Sequence, residues 1–160
     1  MDKPFHIATA KEILAGKVTD IYFQRALEVL NAKDMHKSVK AEFVVKRFPM
    51  NYPWAILAGL DEALSLLSNL PVKVKAMPEG SVFYQNEPVM VIEGTYQDFA
   101  IHETAILGFL CQASGIATKA ARVRVAAGNR PVIHFGARRM HPPISNNSSA
   151  TPLISAAPSN

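Results

Sequence analysis

Two adjacent arginines, Arg138 and Arg139, directly follow an apolar segment and a Gly-Ala pair near the end of this chain. The apolar segment, residues 132–135, is typical of a buried strand. Planar guanidinium groups bind the oxygens of phosphate or carboxylate in pairs. In α/β barrels, such groups stand where a strand ends and a loop begins. The pattern therefore predicts that the chain handles a phosphorylated small molecule.

Other side chains near this segment allow a structural as well as a functional interpretation. Phe135 could pack in a core at the strand end or face a ligand, and His134 could be a hydrogen-bonded core histidine. His141 has no second ligand at a spacing that suits a metal, so we predict no metal site. Glu103 stands where a helix begins, so its charge could simply complement the helix dipole.

Composition limits the class of protein. A chain of 160 residues with a net charge of +4 forms one domain, or one domain and a piece of another. The basic residues form no stripe with interleaved aromatic residues, which disfavours nucleic-acid binding. No run approaches the roughly 18 apolar residues of a membrane span. The single cysteine, Cys111, excludes an intramolecular disulfide and suits the cytoplasm, and we expect it to be buried on a helix.

The hydrophobic periodicity predicts an α+β fold, with helices packed beside a small antiparallel sheet. Predicted helices cover 9–31 (interrupted near Gly16 and restarting after Thr19 and Asp20), 55–67 and 98–127. Predicted strands cover 40–48, 72–77, 81–92 and 132–135. We divide the chain into an α+β domain with a long connecting helix (1–128), a first barrel strand with its loop (129–141) and a low-complexity tail without charged residues (142–160).

Several segments together resemble the nicotinate phosphoribosyltransferases. The similar segments are 19–22 (Thr-Asp-Ile-Tyr), 78–80 (Pro-Glu-Gly), 86–88 (Asn-Glu-Pro), 103–108 (Glu-Thr-Ala-Ile-Leu-Gly), 114–118 (Ser-Gly-Ile-Ala-Thr), 120–122 (Ala-Ala-Arg) and 135–142 (Phe-Gly-Ala-Arg-Arg-Met-His-Pro). The resemblance covers residues 9–142 and is most specific in 102–142. The related quinolinate phosphoribosyltransferases share the Ser-Gly-Ile-Ala-Thr element.

The resemblance implies an enzyme of NAD biosynthesis that joins nicotinate to phosphoribosyl pyrophosphate, usually with ATP hydrolysis and Mg²⁺. It also implies an α+β N-terminal domain leading into an irregular α/β barrel, and a homodimer whose sites are shared between subunits. Phe135 would stack on the pyridine ring, Arg138 would meet phosphate or carboxylate oxygens, and Arg139 would assist it. Tyr22 would cover the other ring face from the neighbouring subunit. The catalytic residues would lie downstream of this chain.

The chain departs from the family after Pro142, where the family's sequence gives way to the low-complexity tail. We interpret this as a shift of reading frame near Pro142 and Pro143. Because a barrel that stops after one strand leaves that strand unpaired, we expect residues 102–142 to be poorly packed and the chain to be inactive. Two alternatives stay open: a decarboxylating quinolinate phosphoribosyltransferase, and a non-catalytic domain that pairs with a full-length relative.

Overall fold

The structure of the protein is a computed structural model that describes residues 7–133. Its elements are α1 (Ala10–Leu14), α2 (Ile21–Ala32), β1 (Ser38–Val44), β2 (Ala55–Ile56), α3 (Leu60–Leu67), β3 (Lys73–Ala76), β4 (Val82–Phe83), β5 (Pro88–Thr95), α4 (Tyr96–Phe99) and α5 (Glu103–Ala127). Single 3₁₀ turns occupy Pro49–Asn51 and Ala100–His102. The predicted α+β fold with a small antiparallel sheet and helices is confirmed.

The main sheet has three antiparallel strands in the order β1-β5-β3. The central strand β5 pairs with β1 from Ser38 opposite Thr95 to Phe43 opposite Met90, and its other edge pairs with β3. Phe43 and Met90 are both buried. The sheet therefore lays one apolar face on the core, as the alternating pattern of β1 predicts.

A separate two-stranded ribbon pairs Ala55 with Phe83 and Ile56 with Val82. The prediction of a helix from residue 55 is wrong, because the helix α3 begins only at Leu60. The apolar residues before it occur at a spacing that fits either a helix or a buried strand, so periodicity could not separate the two.

A left-handed glycine joins this ribbon to α3. Gly59 has φ +86°, and a Cβ atom there would lie 2.4 Å from the carbonyl oxygen of Phe109. Only glycine allows both this conformation and so close an approach of the ribbon to α5. The side chain of Glu79 then accepts hydrogen bonds at 2.9 Å from the backbone N–H groups of Gly59 and Leu60, which satisfies the start of α3.

The 25-residue helix α5 is the core helix of the domain. Ile106 and Ala117, three turns apart, have no exposed surface. We expected residues 102–142 to be poorly packed, and this is wrong for the residues that form α5, Glu103–Ala127. The helical run Tyr96–Ala127 is long and apolar enough to span a membrane by length and composition, contrary to the sequence expectation, but its buried face packs within the domain.

The segment after α5 is described only as far as residue 133. Residues 131–133 have no regular secondary structure, and the remainder of the predicted strand lies outside the described residues. The boundaries at 128 and 141, the barrel strand and the tail therefore stay predictions. The predicted break near Gly16 and the restart of a helix after Asp20 are confirmed.

Candidate functional site

Of the four predicted substrate-binding residues, Tyr22 lies within the described structure. Phe135, Arg138 and Arg139 lie outside the described residues, as do His134 and His141. The described part of the candidate site is therefore the surface around Tyr22, where the start of α2 meets the start of α5.

A pair of hydrogen bonds joins α2 to α5 at this surface. The hydroxyl of Thr104 accepts from the backbone N–H of Asp20 at 3.1 Å and donates to the carboxylate of Asp20 at 2.9 Å. The two residues are 84 positions apart in sequence. Asp20 stands at the N-cap of α2, yet its side chain makes no capping hydrogen bond there. Its carboxylate is thus turned from its own helix to α5, and we call this contact the Asp20–Thr104 brace.

Tyr22 follows the brace by two residues and is 58% exposed. Its ring lies against the ring of Phe23, with centroids 4.2 Å apart and planes tilted by 41°. Phe23 is buried. The buried ring supports the exposed one, so the sequence Tyr-Phe at the start of α2 presents an aromatic side chain at the surface.

The charges beside Tyr22 are negative. Partial burial, then the carboxylates of Asp20 and Glu103, raise the pKa of the Tyr22 hydroxyl. Burial, then Asp20, raise the pKa of Glu103, and burial, then Glu103 and Tyr22, raise that of Tyr96. We call these four residues the acidic–aromatic surface. It offers an aromatic face and a protonated phenol, while the cations that an anionic substrate needs must come from elsewhere.

The Ser-Gly-Ile-Ala-Thr element has a structural role that the sequence did not reveal. The hydroxyl of Ser114 accepts from the N–H of Ala58 at 3.0 Å and donates to its carbonyl at 3.1 Å. The hydroxyl of Thr118 accepts from the N–H of Ile56 at 2.9 Å. Ser114 and Thr118 are both buried. These hydroxyls therefore act as hydrogen-bonding partners for the backbone of residues 54–58, which contain β2 and which we call the β2 segment.

Arg122 continues the same series one turn further along α5. Its guanidinium donates to the carbonyl of Trp54 at 3.2 Å. It also lies 3.7 Å from the ring centroid of Tyr52 and 4.3 Å from that of Trp54. The guanidinium is thereby held by two aromatic rings, an arrangement that suits its planar shape.

The spacing of these contacts, which we call the polar ladder, follows from backbone geometry. Residues 114, 118 and 122 are four apart on α5 and contact residues 58, 56 and 54, which are two apart in an extended segment. Four helical residues rise about 6 Å and two strand residues about 6.6 Å, so the two series stay in register. The ladder therefore positions the backbone of the β2 segment against α5.

A groove of about 220 Å³ lies between α5, the end of β1 and the ribbon. Its lining residues are Phe43, Val44, Val45, Phe48, Pro49, Tyr52, Ala55, Leu57, Phe83, Val89, Leu107, Leu110, Cys111, Ser114, Gly115 and Thr118. None of them is charged, so the groove does not suit a phosphate or carboxylate. Cys111 is exposed at this groove, so the expectation of a buried cysteine is wrong.

Within residues 7–133, no group of three or more His, Cys, Asp or Glu side chains could hold a metal ion. The Mg²⁺ and ATP that the family resemblance implies stay predictions of that resemblance.

Comparison with known proteins identifies the domain. A model of the family "Quinolinate phosphoribosyl transferase, N-terminal domain" matches residues 20–114. The chain belongs to this family.

The curated relatives carry the name predicted from the sequence. Nicotinate phosphoribosyltransferase pncB1 of Mycobacterium tuberculosis is 36% identical over 155 residues, covering 79% of this chain and 35% of that protein. Nicotinate phosphoribosyltransferase of Bacillus subtilis is 27% identical over 153 residues, covering 77% of this chain and 31% of that protein. The chain thus spans about a third of the length of these relatives. The predicted membership in the phosphoribosyltransferase family is confirmed.

Solved structures show the same fold. The crystal structure of nicotinate-nucleotide pyrophosphorylase from Pyrococcus furiosus has a TM-score of 0.86 and 50% identity, covering 88% of this chain and 36% of that chain. Human nicotinic acid phosphoribosyltransferase has a TM-score of 0.63 and 22% identity, with 86% and 34% covered. NadC from Streptococcus pyogenes has a TM-score of 0.60 and 20% identity, with 92% and 54% covered. The Pyrococcus chain is therefore similar in length to the human one and longer than NadC.

Within this family fold, the sequence resemblance predicted Tyr22 as a site residue but gave no sign of the residues that support it, Phe23, Asp20 and Thr104. Asp20 and Thr104 both stand in segments that carried the family resemblance, yet no pattern links two residues so far apart. The ladder residues had a readable signal in their spacing of four, because that spacing places polar side chains on one face of a helix.

Proposed function

We propose that this chain provides the N-terminal domain of a nicotinate phosphoribosyltransferase. The reaction joins nicotinate to phosphoribosyl pyrophosphate, yielding nicotinate mononucleotide and pyrophosphate, with ATP hydrolysis and Mg²⁺, in the cytoplasm. The observation that carries this proposal is the exposed Tyr22, supported by Phe23 and held at α5 by the brace, within the segment that matches the family.

In the proposed site, Tyr22 reaches the pyridine ring from the neighbouring subunit of a homodimer. An aromatic side chain that is more than half exposed has surface free to stack on a planar ring. Phe135 covers the opposite ring face, while Arg138, assisted by Arg139, binds the carboxylate or phosphate. The acidic–aromatic surface holds no cation of its own, so the arginines supply the positive charge that the departing pyrophosphate requires.

The charge beside Tyr22 favours nicotinate over quinolinate. Quinolinate carries a second carboxylate, and two carboxylates of the protein, Asp20 and Glu103, act on the Tyr22 hydroxyl. Like charges within a few ångströms repel, so a dicarboxylate is disfavoured more than a monocarboxylate. The names of the curated relatives and the length of the Pyrococcus relative support the same choice.

The alternative is a quinolinate phosphoribosyltransferase, which releases carbon dioxide and uses no ATP. The description of the matching family and the name of the 50% identical Pyrococcus protein favour it. A third possibility, a non-catalytic domain that pairs with a full-length relative, follows from the sharing of sites between subunits that the family resemblance implies. We expect the 160-residue chain to show no turnover by itself.

Substrate binding separates these possibilities in the 160-residue chain. With tyrosine labelled with ¹³C at Cζ, we expect nicotinate to shift the Tyr22 signal and quinolinate at the same concentration to leave it in place. Tyr84 directly follows β4 and is 56% exposed, so it is the matched control, and its signal should not move. A shift with quinolinate alone would select the decarboxylating alternative. No shift with either ligand would contradict the proposed role of Tyr22, and turnover assays with phosphoribosyl pyrophosphate, Mg²⁺ and ATP complete the test.

A further inference from the structure

We propose that Thr104 is a positioning residue that sets the location of Tyr22 through the Asp20–Thr104 brace. This inference rests on the proposed function, in which Tyr22 covers the substrate ring. It adds a residue on a different helix, Thr104 on α5. The hydroxyl of Thr104 contacts Asp20 and would affect the ligand only through the position of Tyr22.

The geometry of the brace points to this role. An aspartate at an N-cap ordinarily accepts from the first N–H groups of its own helix. Here the Asp20 side chain makes no such bond, and both its N–H and its carboxylate contact one hydroxyl. These two bonds to one hydroxyl restrict both the backbone and the side chain of Asp20, and thereby fix the direction in which α2 begins. Tyr22 lies in this first turn.

The partner of the brace is firmly held. Thr104 lies next to Ala105 and Ile106, which are buried, and further along α5 the ladder ties the helix to the β2 segment. By contrast, Phe23 is the buried residue of α2. The first turn of α2 thus takes its position from α5, and the brace is the described polar contact that transmits it.

The chemistry of threonine suits this contact. A hydroxyl donates one hydrogen bond and accepts another, which is what the Asp20 carboxylate and N–H require. Serine keeps both functions, while valine has nearly the shape of threonine and neither function. Because the contact is exposed, water can replace its hydrogen bonds at small cost in stability. The consequence of losing it is therefore a change in the position of Tyr22 rather than unfolding.

The test measures the titration of Tyr22 in the 160-residue chain by ¹³Cζ-tyrosine NMR, with the signal assigned through Tyr22→Phe. Partial burial, Asp20 and Glu103 raise the Tyr22 pKa, and Tyr96 is the other titratable group at this surface. In Thr104→Val, we expect the Tyr22 pKa to fall towards its ordinary value, because the ring gains water and the carboxylates separate from it. Thr104→Ser should retain the titration of the unchanged protein.

Nicotinate affinity, measured on the same samples, should fall about fivefold in Thr104→Val and recover in Thr104→Ser, as expected when a stacking contact is misplaced. Thr9→Val is the matched control, because it removes a threonine hydroxyl that caps α1. It should leave both readouts unchanged. If Thr104→Val does not fold, Thr104→Ala takes its place.

The outcomes separate the two proposals. An unchanged Tyr22 titration in folded Thr104→Val, or the same change in Thr104→Ser, would overturn the positioning role. A shifted titration in a protein that binds no nicotinate even when unsubstituted would support the positioning role and contradict the proposed function.

Discussion

The helix α5 holds two distant segments of the chain by the same chemistry, with different consequences. Near its start, the hydroxyl of Thr104 binds Asp20 in an exposed contact. Along its middle, Ser114 and Thr118 bind the backbone of the β2 segment in a buried one. A buried polar group that loses its partner cannot turn to water, while an exposed one can. The ladder therefore contributes to stability, and the brace contributes to the position of Tyr22.

The difference also separates a segment that holds the fold together from the segment that the proposed function uses. The Ser-Gly-Ile-Ala-Thr element is the more recognisable motif, but its hydroxyls bind the backbone of the domain itself. The Thr-Asp-Ile-Tyr segment is shorter and less specific, yet it carries the exposed side chain that a ligand could contact. A recognisable motif can thus mark the scaffold, while the proposed site lies in a shorter match that the scaffold positions.

The largest effect is expected for Ser114→Ala. This change leaves both the N–H and the carbonyl of Ala58 without their side-chain partner in a buried location. Each orphaned group costs roughly 1–3 kcal/mol, so we expect a loss of about 3 kcal/mol in the free energy of unfolding, measured by urea denaturation. The change in Thr104→Val should be below about 1 kcal/mol. Equal losses at the two ends of α5 would contradict the comparison.

The control for this prediction is Ser65→Ala, since Ser65 is an exposed helical serine on α3. Removing its hydroxyl leaves no buried backbone group unsatisfied, and alanine is the better helix former. Its free energy of unfolding should therefore change by no more than about 0.5 kcal/mol. A large loss at Ser65 would mean that the effect at Ser114 does not arise from the ladder.

The next effect in size is expected for Arg122→Lys. Lysine keeps the charge and one donor for the Trp54 carbonyl, but it lacks the planar group held by the rings of Tyr52 and Trp54. We expect a loss of about 1–2 kcal/mol in the free energy of unfolding, with quenching of Trp54 fluorescence altered. Arg124→Lys is the matched control, because Arg124 donates to the carbonyls of Gly128 and Arg130 in an exposed turn. If both variants lose equally, the aromatic contacts of Arg122 contribute nothing.

Much of the fold could be predicted from sequence, because its elements are marked by local signals. The alternation of apolar and polar residues predicted β1, and the long helical stretch predicted α5, each to within a few residues. The start of α3 was missed because Gly59 sits in a left-handed turn forced by the close approach of α5, a contact with Phe109 far along the chain. Long-range contacts of this kind leave no local pattern.

The candidate site was less predictable for the same reason. Tyr22 was predicted as a site residue by resemblance, but its relation to Asp20 and Thr104 depends on how α2 meets α5. Cys111 was expected to be buried because free cysteines usually are, and it is exposed because the groove side of α5 is left open by the described residues. Exposure depends on neighbouring elements, and residue type alone does not determine it.

The smallest effect on the free energy of unfolding is expected from the titration of His102, the residue just before α5. His102 is buried, and burial lowers its pKa below the ordinary value of 6.5. The folded protein therefore keeps His102 neutral at pH values where the unfolded chain binds a proton. Protons then favour unfolding, so the contribution of His102 to stability is complete above pH 6.5 and is lost as the pH falls towards its folded pKa.

We expect the free energy of unfolding to decrease as the pH falls through 6.5 towards the lowered pKa of His102, with a slope from His102 of no more than one proton. In His102→Gln this part of the slope should disappear, which parallel urea titrations at each pH would measure. His36→Gln, which removes an exposed histidine, accounts for the general effect of losing a titratable ring. Glu103, whose pKa is raised, acts with the opposite sign, because its protonation favours the folded state. A slope that survives unchanged in His102→Gln would contradict the assignment of this pH dependence to His102.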